Sequence, residues 1–202
     1  MIHPHTCLRF INDDMGYGLF ATAFIPRGTI VYVKDALEIE LSPEAYLAHS
    51  PAMQEVIEKY SYIDERGYRI LSWDTAKYVN HCCQCNTMST GYGFEIAIRD
   101  IQPGEEITDE YGLFNLEYEM PLACAKKGCR GMIRVEDPEK LADRWDEQVR
   151  AALDVLFDHP QPLMDLLDDA TVEDLVDFVQ DEGAYRSVRA LRYPQRALHP
   201  FG

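Results

Sequence analysis

Apolar residues fall in short bursts over the first half of the chain and at helical spacing over its last third. From residue 8 to about 41, small runs alternate with glycine and proline. Gly16-Tyr17-Gly18 and Pro26-Arg27-Gly28 punctuate turns. Residues 19–24 between them read as a strand, and Ile30-Val31-Tyr32-Val33, β-branched and aromatic, reads as another. Ser42-Pro43-Glu44 predicts a helix start, with Ser42 as cap and Pro43 in the first turn. After Ser50-Pro51, Met53, Val56, Ile57 and Tyr60 recur at helical spacing. Strand patterns return at 68–73 and at 94–98, where Phe94, Ile96 and Ile98 alternate with Glu95 and Ala97. Gln102-Pro103-Gly104-Glu105 is a turn.

Beyond Pro138 the period changes. Leu141, Trp145, Val149, Leu153 and Leu156 share one helical face, and His159-Pro160-Gln161-Pro162 ends that helix. Thr171-Val172-Glu173-Asp174 resembles a capping box and predicts a helix running to Gly183. The expectation is a mostly β domain to about residue 117, followed by helices that pack back on it or present a dimer or docking surface.

Composition narrows the partners. At 202 residues the chain suffices for one substantial domain plus an appendage, and 47% hydrophobic with 27% charged residues is a globular balance. Acidic residues outnumber basic ones 35 to 19, for a net charge of −16. Such a surface repels a phosphate backbone and attracts basic proteins, although acidity also serves solubility alone. Arg186, Arg189, Arg192 and Arg196 form a basic patch that departs from the acidic whole. Neither a basic, apolar leader nor a run of about 20 apolar residues is seen, so a cytosolic chain with no membrane partner is expected, nuclear or chromatin-associated in a eukaryote. Five of six cysteines form two tight groups, 82–85 and 124–129, which favours metal ligation over disulfides in a reducing compartment.

Three patterns carry candidate chemistry. Gly16-Tyr17-Gly18 permits a close backbone approach to a ligand, or is a plain hairpin turn. Asn80-His81 offers several polar groups, followed by cysteines able to chelate from one loop. Gly104-Glu105-Glu106-Ile107-Thr108-Asp109-Glu110-Tyr111 reads as a turn entering a strand that ends on a tyrosine.

In this order and separation, the patterns resemble the SET-domain family of protein lysine methyltransferases over roughly residues 8–133. That family carries Gly-x-Gly, then Asn-His-Ser-Cys-x-Pro-Asn, then Gly-Glu-Glu-Leu-x-x-Asp-Tyr. The resemblance implies small curved β-sheets with a knot-like threading, which is rare in proteins. It implies a SET domain over 1–117, a post-SET zinc segment over 118–135 and a helical extension over 136–202. It also implies transfer of a methyl group from S-adenosylmethionine to a lysine of a basic protein such as a histone. Met15, Gly16, Tyr17 and Gly18 would cradle the cofactor, Asn80 and His81 would complete its pocket, and Tyr111 falls on the catalytic tyrosine. Tyr62, Tyr78 and Phe114 would line the lysine channel. Glu110 replaces the usual Asp, and Cys82 and Cys85 replace the usual Ser and Pro.

Cys124-Ala125-Lys126-Lys127-Gly128-Cys129-Arg130-Gly131 resembles the post-SET segment, with Leu122 in place of its first cysteine. One cysteine lost at 122 and one gained at 85 keep the count at four. The expected site is one structural zinc held by Cys83, Cys85, Cys124 and Cys129, with Cys82 as a competing ligand and ordinary buried thiols as the bland reading. A non-catalytic interaction module with the same fold is the alternative function. A nucleic-acid finger is disfavoured by the charge. Oligomeric state, target lysine and methylation number stay open.

Overall fold

The computed structural model describes residues 1–122, 126–180 and 183–194. The strands are β1 (Thr6–Asn12), β2 (Gly16–Ala21), β3 (Ile30–Val33), β4 (Ile39–Leu41), β5 (Ser61–Ile63), β6 (Arg69–Leu71), β7 (Asn80–His81), β8 (Thr87–Ser89), β9 (Phe94–Ala97), β10 (Glu106–Asp109), β11 (Met120–Pro121) and β12 (Met132–Ile133). The helices are α1 (Pro43–Leu47), α2 (Pro51–Tyr60), α3 (Asp137–Leu153) and α4 (Asp169–Val179). The architecture is mostly β with flanking helices. Its strands form four small sheets, ordered β1-β2-β10-β7, β3-β9-β8, β4-β6-β5 and β11-β12.

Local chemistry explains most of these ends. Ser42 Oγ accepts from Ala45 N–H at 3.2 Å, capping α1 ahead of Pro43. The strand expected over 19–24 is β2 and begins earlier, at Gly16, because the two glycines are themselves paired with β1 (Gly18 with Arg9, Gly16 with Asn12). The cap of α4 is Asp168 rather than Thr171: its carboxylate accepts from Thr171 N–H at 2.9 Å and from Thr171 Oγ1 at 2.8 Å. A carboxylate in that position also faces the positive end of the helix.

β9 lies between β3 and β8, and all four of its residues are buried. An alternating strand with one wet face would leave Glu95 outward. A central strand covered on both faces has no such exit, so Glu95 goes inside. The stripe read on α3 packs on this sheet. Trp145, Val149, Ala152 and Leu153 share one core with Met88, Phe94 and Ile96. Gly28 lies under the end of α3, where an added Cβ would come within 2.9 Å of Ala152 O and 2.8 Å of Val155 Cγ2. Trp145 also covers Gly112, leaving 2.8 Å to a would-be Cβ. α3 therefore helps to fix the turn that carries Tyr111. Truncating a buried Trp typically costs about 3–5 kcal/mol.

The basic patch of the tail is engaged with acidic helices. Arg186 pairs with Asp174, and Arg189 lies 2.9 Å from Asp143 and 3.5 Å from Asp146. Arg196 lies outside the described residues. Among the described residues, no helix is long and apolar enough to cross a membrane.

Candidate active site

β10 carries the third motif between the other two. It pairs antiparallel with β2 (Ile107 with Leu19) and parallel with β7 (Thr108 with Asn80, Asp109 with His81). Asn80 Nδ2 donates to Tyr17 O at 3.1 Å and to Glu106 Oε1 at 2.9 Å, clamping the glycine turn. A Cβ on Gly18 would sit 2.7 Å from Glu106 Oε1 and 3.0 Å from Asn80 Nδ2, so the glycine makes room for the clamp. Gly16 has φ +73°, the left-handed region that glycine enters at little cost. Met15 and Tyr17 flank it, 46% and 49% exposed.

Tyr111 opens a 3₁₀ turn, Tyr111–Leu113, directly after β10. Its hydroxyl donates to Val79 O at 2.5 Å. Burial, then the Asp109, Glu95 and Glu106 carboxylates, push the phenol above its usual range. It is therefore a neutral hydroxyl at neutral pH, its proton committed to a carbonyl and its lone pairs directed elsewhere. His81 stands beside it, with ring centroids 5.5 Å apart. Its Nδ1 lies 3.1 Å from Asp109 O and 3.2 Å from Tyr111 N, and its Nε2 lies 3.4 Å from Cys83 Sγ. Burial, then the Arg130 charge, holds His81 down to about 4, so the neutral ring is the form present near pH 7.

In front of Tyr111 lies a cavity of about 290 Å³. Tyr62 stacks on Phe114 at 5.3 Å and Phe114 on Tyr111 at 5.2 Å, and all three line it. Tyr32, Tyr60 and Tyr118 extend the aromatic wall, and Glu95 is also on it. Tyr78 packs instead against Tyr17 and Tyr60, at 6.0 and 5.7 Å, and is not among the lining residues.

Residues 16–112 match the SET domain family. A relative among curated proteins is the histone-lysine N-methyltransferase Set2 of Drosophila melanogaster. It is 25% identical over 157 residues, 70% of this chain but 7% of that protein. Over residues 16–112 the chain resembles the SET-domain family. Among solved structures, a Plasmodium falciparum protein provisionally described as a histone methyltransferase covers 55% of this chain and 95% of its own, at 17% identity. Its TM-score of 0.38 is too low for that likeness to bear on the site.

The departure at Glu110 has a local partner. Arg130, from the cysteine-bearing segment, lies 2.6 Å from Glu110 Oε1, which also accepts from Gly112 N–H at 2.9 Å. Burial raises the Glu110 carboxyl more than Arg130 lowers it. Nothing in the sequence marked Arg130 as more than part of the Arg-Gly signature. The longer Glu side chain is what reaches it.

The cysteines are only partly assembled. Cys83 and Cys129 place their sulfurs 3.9 Å apart, and Arg130 N–H donates to Cys83 Sγ at 3.4 Å. Cys85 is buried, and its thiol is pushed up by burial and by Asp109 and Glu110. Cys82 Sγ lies 3.3 Å from Lys126 Nζ. Cys124 lies outside the described residues. Among the described residues, no three His, Cys, Asp or Glu side chains converge as ligands of one ion.

Sequence reading missed Tyr32, Tyr60, Tyr118, Glu95 and Asp109. Asp109 is fully buried, and its Oδ2 has no hydrogen-bond partner among the described residues. A carboxylate within an apolar strand pattern was the available signal at Glu95; Asp109, among other acids in 105–110, carried none.

Proposed function

We propose that this chain is a protein-lysine methyltransferase that uses S-adenosylmethionine and acts on a basic protein. The observation that carries the reading is the placement of Tyr111. Its hydroxyl is anchored to Val79 O between the Asn80–Tyr17 clamp and a cavity of aromatic rings.

Tests of fit favour the cofactor. Met15 and Tyr17 present exposed apolar surface on a turn whose backbone Asn80 holds, and neutral His81 stands behind it. Such a flank suits a ligand with an aromatic base and a charged amino-acid end. When bound, S-adenosylmethionine supplies an electrophilic methyl group on a sulfonium. Met15, Gly16, Tyr17, Gly18, Asn80 and His81 are the residues proposed to hold it.

The chain's own residues prepare the amine. A free lysine titrates near 10.4, so neutralising it at pH 7 costs about 4.6 kcal/mol. Tyr62, Phe114 and Tyr111 form an apolar sleeve that favours the uncharged amine. The Tyr111 oxygen, its proton donated to Val79, accepts from the incoming amine and orients it, giving near-attack geometry. Tyr111 is no base, because burial keeps it a phenol. The overall charge of −16 draws a basic partner.

A structural zinc belongs to the same proposal. Tetrahedral thiolates at about 2.3 Å from zinc stand about 3.8 Å apart. The Cys83–Cys129 separation of 3.9 Å suits one edge of such a site. Cys124 is the proposed third ligand and Cys85 the fourth. Arg130 and Glu110 tie this segment to the turn of Tyr111, so a zinc held there would help to position that turn and would supply no chemistry.

The test is to incubate the protein with core histones and deuterium-labelled S-adenosylmethionine and to map lysine methylation by mass spectrometry. Labelled methyl-lysine is expected. Cofactor binding with no mark on any basic protein contradicts the catalytic reading.

A further inference from the structure

The wall that closes the substrate cavity has a second cavity behind it. This back cavity, of about 260 Å³, shares Tyr32, Tyr62, Ile63, Glu95 and Phe114 with the first. Beyond the shared wall it is lined by Asp64, Ser89 and Thr90, and it reaches the surface at exposed Glu65 and Asp168. Glu95 is the one carboxyl common to both spaces. It is otherwise out of place, a buried acid in the middle of a central strand.

The reaction leaves a task that Tyr111 does not perform. The substrate arrives as an ammonium and must lose a proton, and Tyr111 has already given its own proton to Val79 O. We propose that Glu95, backed by Asp109, accepts the proton of the substrate ammonium and passes it to solvent through the back cavity. The inference rests on the methyltransferase reading and deepens it. In the step, an N–H bond of the ammonium breaks and an O–H bond forms on one Glu95 oxygen, while the proton that Glu95 shares with Asp109 moves onto the Asp109 carboxylate, where the negative charge of the pair resides. The nitrogen keeps the electron pair that methyl transfer then consumes. The carboxyl next releases the proton toward Ser89, Thr90 and the surface, which restores it for another turnover.

The surroundings suit a base. Burial, then the facing Asp109 carboxylate, raises Glu95 well above the usual carboxylate range. Asp109 is itself raised, to about 7, chiefly by burial. Two carboxyls that repel each other in a dry site hold one proton between them near neutrality, which leaves one negative charge to receive the ammonium. The groups facing Glu95 are Asp109 from β10, Tyr111 from the turn after it, Tyr32 and Lys34 from and just after β3, and Tyr62 and Asp64 from and just after β5. The chain's amino terminus acts on it more weakly. Lys34 is already committed, 2.6 Å from Glu40 and 3.9 Å from Asp64. Of these groups, the acidic pair is what remains to take a proton near pH 7.

The test compares wild type, Glu95→Gln and Glu95→Asp in single-turnover methylation of core histones from pH 6 to 10. General-base removal costs about 10²–10⁴-fold. The expected result is a fall of that order for Glu95→Gln at pH 7, with a rate that climbs about tenfold per pH unit toward the titration of lysine itself. Glu95→Asp is expected to recover part of the loss. A second readout needs no turnover. Wild type should bind a lysine-bearing histone-tail peptide more tightly than its norleucine analogue, and Glu95→Gln should narrow that difference. Asp109→Asn, which removes the repelling neighbour, should move the rising limb of the wild-type profile to lower pH. Should Glu95→Gln fail to fold, the Asp109→Asn profile decides alone, and an unmoved limb overturns the proposal. A folded Glu95→Gln enzyme with the wild-type rate, profile and peptide preference overturns it while leaving the methyltransferase reading standing. A wild type that transfers no methyl overturns both.

Discussion

The cavity side of Tyr111 is walled by rings and carboxyls that the fold packs for its own sake, whereas the Asn80 side presents half-exposed Met15 and Tyr17 beside a loosely gathered set of cysteines. Tyr62, Phe114 and Tyr111 stack in sequence, and Glu95 and Asp109 lie deep in the sheets beneath them. On the other side the clamp from Asn80 to Tyr17 O holds the backbone, but the side chains around it face solvent. Under the proposed function, the contrast means that the substrate half would be preorganised by the chain alone and the cofactor half completed by its ligand.

The contrast can be broken most sharply at the metal segment. Cys129→Ser is expected to abolish zinc binding, measured as metal per chain, and to weaken cofactor affinity about 10–100-fold by calorimetry. Its effect on the cavity side should be small, with peptide binding close to wild type. Equal loss on both sides contradicts the division. Gly18→Ala should act on the cofactor side alone and less severely. Its methyl group displaces the Glu106 carboxylate from Asn80 and costs about 1–3 kcal/mol of stability by overpacking, with a roughly tenfold loss of cofactor affinity. Retained affinity in a folded variant means that the glycine serves the turn only.

A further effect is on the pH dependence of stability. Asp109 titrates near 7 in the folded chain and near 3.8 when unfolded, so the folded state holds the extra proton between those values. A raised carboxyl favours the fold while protonated, and that advantage is lost as pH rises from about 4 to 7. Asp109→Asn should remove this slope. Its melting temperature, relative to wild type, should rise across that window and level off above it. A difference that stays flat across the window means that Asp109 is not buried as a carboxyl.

Legibility from sequence followed the same division. The glycine turn, Asn80-His81 and Tyr111 are contiguous words in the chain, and parallel pairing of β10 with β7 brings two of them side by side. The cavity wall is not contiguous. Tyr32, the adjacent Tyr60 and Tyr62, and Tyr118 come from three separate stretches, and only the packing of β3, the junction of α2 with β5, and the loop before β11 brings them together. Glu95 was hidden by period: alternation along 94–98 suggests a wet face, and Tyr62, Asp109 and Tyr111, packed over that face from other elements, deny it one. The helical stripe of α3 was readable, but its contact with Gly112 was not, because that depends on where the turn after Tyr111 lies in space. Asp168 displaced Thr171 as the cap of α4 by accepting from both its amide and its hydroxyl.

The most direct test of the central claim is transfer of a labelled methyl group to core histones by the wild type and by Tyr111→Phe, read by mass spectrometry at equal cofactor saturation. The aromatic ring stays packed against Phe114 and His81 in the variant, and only the hydroxyl bonded to Val79 O is lost. The account predicts methyl-lysine from the wild type and a fall of about 10²–10³-fold in the variant, with cofactor binding unchanged. Equal methylation by the two proteins contradicts the role given to Tyr111, and no methylation by either contradicts the proposal that this chain is a lysine methyltransferase.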